Sequence, residues 1–153
     1  MTIKTRVFGE ITIADEKILH FEKGIIGFPD MTEFTLIYDE DKGTEAGIRW
    51  LQSIQEPNFA MPVMDPLIIK EDYNPMVEDE LLKPLEIENP NDLLVLVTVT
   101  VPKDITKMSV NLKGPIVINS ESRKACQIII DDDLEVKFPV YDILNERKKV
   151  AGC

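Results

Sequence analysis

His20 is the only histidine in this chain of 153 residues, so any acid–base or nucleophilic reading starts from it. It lies in the short apolar run Ile18 to Phe21, and no nucleophile is placed beside it by sequence. A Ser-His-Asp arrangement would have to be invented, and a structural strand histidine is the plainer reading. The two cysteines, Cys126 and Cys153, have no metal-ligand spacing. Cys126, inside ACQIII, reads as a small core residue, and no structural disulfide is expected. Asp131-Asp132-Asp133 lacks the glycine and the distal glutamate of a calcium-binding EF-hand loop, so it reads as a solvated acidic turn. Gly24 and Gly27 in FEKGIIGFPD are not followed by Lys-Ser/Thr, and no helical pattern opens there, which excludes a phosphate-binding loop. In that loop the glycines are expected at backbone angles closed to other residues, with Phe28 plugging the core. These residues support no catalytic constellation. The expectation is a protein without enzymatic activity, cofactor or metal.

Chemistry of a different kind is carried by charge. The formal net charge is -11, which disfavours direct nucleic-acid binding, because phosphate recognition needs clustered Lys and Arg. An acidic surface serves solubility; it also suits a basic partner. The N-terminal MTIKTRVFGE is no signal peptide. No apolar run approaches the roughly 18 residues that span a membrane. A soluble cytoplasmic protein in a reducing compartment is expected, with no membrane association.

The elements that position these residues are strands. The strongest pattern is Leu93 to Asn119. Leu93, Val95, Val97, Val99 and Val101 share one face, while Leu94, Leu96, Thr98 and Thr100 share the other, so the strand starts buried on both sides and ends half in water. Pro102-Lys103-Asp104 breaks it; Met108, Val110 and Leu112 then alternate with polar residues, and Ile116 to Ile118 extends again after Gly114-Pro115. This predicts the central hairpin of an antiparallel sheet, with Asn111 and Asn119 capping turns around it. Residues 2 to 13 read as one bent strand or a tight strand pair with a corner at Gly9. Further strands are expected at Ile18 to Phe21, Phe34 to Tyr38, Ile48 to Ile54, Phe59 to Asp65, Cys126 to Ile130 and Glu135 to Val140, with an extended stretch from Leu67 to Ile69 and an acidic hairpin tip over 39 to 47. Pro62 cannot donate to a ladder, so its strand should be an edge or bulged, and an open edge is a docking rail. Trp50 is either a core anchor or a partly exposed interface aromatic. One short helix is expected over 74 to 83, capped by Asn74, with Pro75 at its first position and Pro84 ending it before Leu85 can join. About nine or ten short strands and one helix make an all-β fold, a strongly curved antiparallel sheet or small open barrel. One domain over residues 1–153 is expected, with a flexible tail from about residue 145.

Four stretches together resemble the flagellar assembly factor FliW family: GIIGFPD at 24 to 30, WLQS at 50 to 53, the pair Asp65-Pro66, and NLKGPIVIN at 111 to 119. Their order and spacing match across nearly the whole chain. Ile26 stands where the family usually has proline, and Gly114 where alanine is common. The resemblance implies a β-rich, barrel-like fold without catalysis and two protein partners. These are cytoplasmic flagellin and CsrA, a dimeric RNA-binding repressor of the flagellin message, which compete for the protein. The free protein is expected to be a monomer. The candidate partner-binding residues are the polar end of the Ile48 to Ser53 strand (Gln52, Ser53), the following edge (Asn58, Phe59) and the segment Asp65, Pro66 to Tyr73, chosen as exposed polar groups and aromatics around an edge. Turn and packing roles are the plainer reading of Phe59 and Asp65. A competing class is a small-ligand carrier, which requires an apolar internal cavity at a barrel mouth.

Overall fold

The computed structural model describes residues 2–37, 48–74, 79–130 and 133–143. The end of the expected strand at Tyr38, the tip over 39 to 47, helix positions 75 to 78, Asp131 and Asp132, and the tail with Cys153 lie outside the described residues.

Eleven strands are present among the described residues: β1 Thr2–Thr5, β2 Gly9–Thr12, β3 Ile18–Phe21, β4 Glu33–Ile37, β5 Arg49–Ser53, β6 Ala60–Met64, β7 Leu93–Thr100, β8 Ser109–Val110, β9 Ile116–Asn119, β10 Lys124–Gln127 and β11 Phe138–Pro139. Strands β7-β6-β5-β4-β3-β10-β9 are hydrogen-bonded in that order, and β9 returns to β7, which closes a 7-strand barrel. The fold is all-β and barrel-like, as the pattern implies, and closed where an open form was expected. One seam, β3 with β10, is parallel, pairing His20 with Lys124 and Phe21 with Ala125. The first residues form the tight strand pair, β1 with β2. Thr5 Oγ1 fastens their turn by accepting from Phe8 N at 2.8 Å and donating to Gly9 O at 2.9 Å.

The barrel is held by its lumen. Leu19, Phe21, Phe34, Leu51, Val63, Leu96, Ile116, Ile118 and Ala125 form one buried cluster, one or two from each strand, as period-2 side-chain alternation requires. Each fully buried aliphatic or aromatic side chain of this kind contributes about 1.5–3 kcal/mol. Three outer clusters cover the other face. Val97 and Val99 of β7 pack with Met64, Ile69, Tyr73, Val110, Leu112 and Val140. Val117 of β9 packs with Leu85, Ile128 and Ile130. Ile13, Ile18 and Ile54 pack beneath the β1–β2 hairpin. β7 ends at Thr100, one residue earlier than its pattern, and Val101 is exposed.

Four expectations are corrected. The run from Met108 to Leu112 yields only the two-residue β8, because Asn111 Oδ1 accepts from Lys113 N and Gly114 N (3.0 and 3.1 Å) and turns the chain off the ladder. β6 is not an edge: it pairs with β5 along its length and with β7 at Val63 and Met64. Pro62 is tolerated because the β6–β7 ladder starts only after it. The stretch after Asp65-Pro66 is a 3-10 turn, Pro66–Ile68, not extended chain. Helix α1, Asp79–Leu82, ends before Pro84 as expected, but a 3-10 turn over Lys83–Leu85 continues it and seats Leu85 in the outer core.

Candidate functional site

Among the described residues no three His, Cys, Asp or Glu side chains converge. His20 is exposed on β3, and its backbone N–H donates to Arg123 O at 2.9 Å. Burial pushes the Cys126 thiol up from its ordinary value, which disfavours the nucleophilic thiolate. The arrangements that stand out are surfaces at the two ends of the barrel.

The first is built on the β5–β6 turn. Gln52 and Ser53 are both 0% exposed, which corrects their reading as surface polar residues. The Gln52 amide nitrogen donates to the carbonyls of Ser53, Pro57 and Phe59 at 2.9, 3.0 and 3.1 Å. Ser53 Oγ accepts from Glu56 N at 2.9 Å. Arg6 reaches over from the first hairpin; its Nε donates to Asn58 O at 3.1 Å and its backbone N–H to Pro57 O at 3.3 Å. Buried polar groups thus hold the turn from beneath and leave Asn58 exposed and Phe59 half-buried at its tip.

Phe59 links the surface to the core. Ring centroids run Phe21–Phe34 at 5.3 Å, Phe34–Phe59 at 6.3 Å and Phe59–Phe28 at 5.0 Å. Phe28 does not plug the core: it is 44% exposed, and Ile25, 4% exposed, takes the inner position. The reason is the loop's tightness. Ile25 and Phe28 exchange backbone hydrogen bonds, and the chain folds back so closely that a Cβ on Gly24 would lie 2.5 Å from Phe28 O. Gly24 and Gly27 take φ values of +67° and +88°, as the loop reading requires. Ile26, 51% exposed, sits beside Phe28, its N–H bonded to Gln127 Oε1 at 2.9 Å. Gln127 Nε2 in turn donates to Gly114 O at 2.9 Å, and a Cβ on Gly114 would crowd Asn111 Nδ2 at 3.0 Å.

The remaining expected site residues fall at the opposite end of β6. Asp65 Oδ1 accepts from Leu67 N at 2.9 Å and caps the 3-10 turn; Pro66 is buried. Tyr73 is buried and its hydroxyl donates to Leu112 O at 2.7 Å. These three hold the fold and are not joined to Asn58 and Phe59. Trp50, half-buried on the outer face of β5, packs edge-on against Phe8 at 5.9 Å. Sequence reasoning missed Ile26 and the exposure of Phe28, although GIIGFPD already marked a loop, where an aromatic is easily left at the surface. It also missed a cleft of about 630 Å³ at the other barrel end, walled by Leu19, Leu36, Leu94 and Ile118 and by Lys17 and Arg123.

Fold and surfaces together define a class: a small closed β-barrel with a filled lumen and apolar surfaces at both ends. Residues 2–140 match the family described as FliW protein, and the chain belongs to that family. A flagellar assembly factor FliW of Lachnospira eligens is 46% identical over 151 residues, covering 97% of this chain and 99% of the relative. That of Lachnoclostridium phytofermentans is 42% identical over 150 residues, covering 97% and 96%. A crystal structure of the flagellar assembly factor FliW superimposes with a TM-score of 0.84 at 27% identity, covering 92% of this chain and 97% of that one. No helix among the described residues is long and apolar enough to cross a membrane.

Proposed function

We propose that this protein is a non-enzymatic regulatory binding protein of flagellar assembly, acting in the cytoplasm and monomeric when free. It captures the repressor CsrA, so that the flagellin message is translated, and alternatively holds flagellin, so that repression resumes when flagellin accumulates. The observation that carries this reading is the near-full-length likeness to relatives named flagellar assembly factor, at 46% and 42% identity. The exposed Phe28 on Phe59, beside Asn58 and over a turn locked by Gln52 and Ser53, supplies an aromatic anchor of the kind that dominates protein interfaces. Asp65, Pro66 and Tyr73 brace the other end of the barrel.

The net charge of -11 gives the antagonism a physical basis. Docked beside a basic RNA site, such a body lowers the local potential and repels phosphates. The test mixes the purified chain with CsrA and with flagellin of the same bacterium and measures binding calorimetrically. A complex with each, and mutual exclusion of the two, is expected. CsrA–RNA inhibition, corrected for loss of complex, should weaken with salt. Binding to neither partner overturns the proposal; salt-independent inhibition removes its electrostatic part.

A further inference from the structure

The cleft at the barrel mouth belongs to none of the surfaces used so far. Its floor is the open end of the lumen: Leu36 and Leu94 are only half-buried there, beside Leu19 and Ile118. Among the described residues, its rim carries Lys17 and Arg123 beside the carboxylate of Glu16. On a chain of net charge -11, two cations to one carboxylate among the described lining residues is a local excess of positive charge. Neither cation is in an ion pair among the described residues, where the ion pairs are Lys70–Asp72 and Lys124–Glu86.

Arg123 is also conformationally unusual. Its φ is 62°, in the left-handed region that favours glycine. It is held there by its own N–H bonded to Asn119 O at 2.7 Å and by His20 N bonded to its carbonyl at 2.9 Å. Asn119, buried, accepts from Glu121 N at 3.0 Å and donates to Leu85 O at 2.7 Å, which fixes the turn that carries Arg123. An arginine kept where glycine would be less strained, facing an apolar cleft, suggests a use for its charge.

We infer that this cleft docks an apolar, carboxylate-bearing segment of an unassembled flagellin subunit, at the opposite end of the barrel from the Phe28–Phe59 surface. The inference rests on the proposed binding of flagellin and adds its location. Charge decides between the two partners. A repressor that binds RNA presents a basic face, which the rim of Lys17 and Arg123 opposes and the acidic remainder of the surface attracts. A filament subunit before assembly exposes apolar surface that it later buries between subunits, and the cleft offers that surface cover.

The test compares the wild-type protein with Lys17→Glu/Arg123→Glu and with Arg123→Gly, each titrated with flagellin monomer and with CsrA, with melting curves recorded alongside. The double reversal should weaken flagellin binding at least tenfold and leave CsrA binding within twofold. Arg123→Gly removes one cation and the left-handed side chain. It should weaken flagellin several-fold while Tm rises by about 2–4 °C, which separates loss of the site from loss of the fold. Unchanged flagellin binding in a folded double variant overturns the inference alone. So does equal loss of both partners, or uptake of a decanoate probe by the cleft with flagellin binding intact. A wild-type chain that binds no flagellin overturns the functional reading and this inference with it.

Discussion

Replacing Gln52 tests whether the first surface is held from below. The side chain is 0% exposed, and its two amide hydrogens serve three carbonyls at 2.9 to 3.1 Å. Its Oε1 has no hydrogen-bond partner among the described residues. Rotating the amide would set that oxygen against the three carbonyls, so the unpaired acceptor follows from the local geometry. Gln52→Leu has nearly the same length. It forfeits two net hydrogen bonds, about 2 kcal/mol; it also trades one buried unsatisfied acceptor, Gln52 Oε1, for another, the Ser53 carbonyl, at about 1–3 kcal/mol each. The last two terms offset, so the urea midpoint should fall by the equivalent of about 2 kcal/mol. The Glu56 to Phe59 turn also loses its support, and binding of the partner that uses the Phe28–Phe59 surface, which the cleft proposal leaves to CsrA, should fall several-fold. Gln52→Glu loses the same bonds and buries a carboxylate among carbonyl oxygens, a further cost of about 3–5 kcal/mol. That carboxyl would titrate higher folded than unfolded. The added penalty is therefore absent below the unfolded value, near pH 4, and grows as pH rises through the folded one. Urea titrations of both variants at pH 7 and pH 4.5 measure these terms. If Gln52→Leu costs more than about 3 kcal/mol, or Gln52→Glu matches it at pH 7, the account of an unpaired acceptor beneath a supported turn is wrong.

Other outcomes follow from single positions. Gly24→Ala, whose Cβ would lie 2.5 Å from Phe28 O at φ +67°, should cost about 3 kcal/mol or more in urea unfolding; Gly9→Asn, at the same φ with nothing within 4 Å, should cost under about 1 kcal/mol. Asn119→Ala removes the bonds to Leu85 O and Glu121 N inside a buried turn and should cost about 2–4 kcal/mol by the same assay. In a Cys153→Ser background, Cys126 should be alkylated by iodoacetamide at pH 8 more slowly than glutathione, because burial holds its thiol protonated.

β7 was legible because its Leu and Val alternate over eight residues and both faces meet apolar layers. The turns at Asn111 and Asn119 were legible for a local reason, an acceptor oxygen within reach of amides two and three residues on. Closure was not. The seam of β3 with β10 and that of β7 with β9 depend on pairings between distant segments, and neither strand's own pattern names its partner. Gln52 misled for a related reason. A polar residue in a strand reads as solvent-facing, whereas here its amide serves carbonyls from the turn that follows. Asn58 is exposed as its turn implied, and Phe59 is half-buried where packing was the plainer reading; the aromatic beside it, Phe28, comes from a loop folded back at Gly24 and tied to Gln127 through Ile26. The cleft left no trace at all, since its walls come from the ends of β2, β3, β4, β7 and β9.

On the proposed placement, partners at opposite ends of the barrel still have to exclude one another if the protein is to switch between them. Geometry accounts for this without any conformational change. A five-residue strand such as β6, Ala60–Met64, is about 17 Å long at about 3.3 Å per residue. A standard interface takes about 800 Å² from each partner, a patch about 30 Å across. Two such patches centred on the two ends overlap along the flanks of so short a barrel, and the packed lumen gives the strands no room to shift in response. The overlap should vanish when one partner is small. A peptide of about ten residues cut from flagellin and occupying only the cleft should bind the preformed complex with CsrA as tightly as it binds the free chain. Full-length flagellin should displace CsrA from the same complex. Anisotropy of a labelled peptide, read with and without saturating CsrA, distinguishes the cases: a peptide that is excluded by CsrA would mean that the ends are coupled through the barrel, and that size alone does not explain the competition.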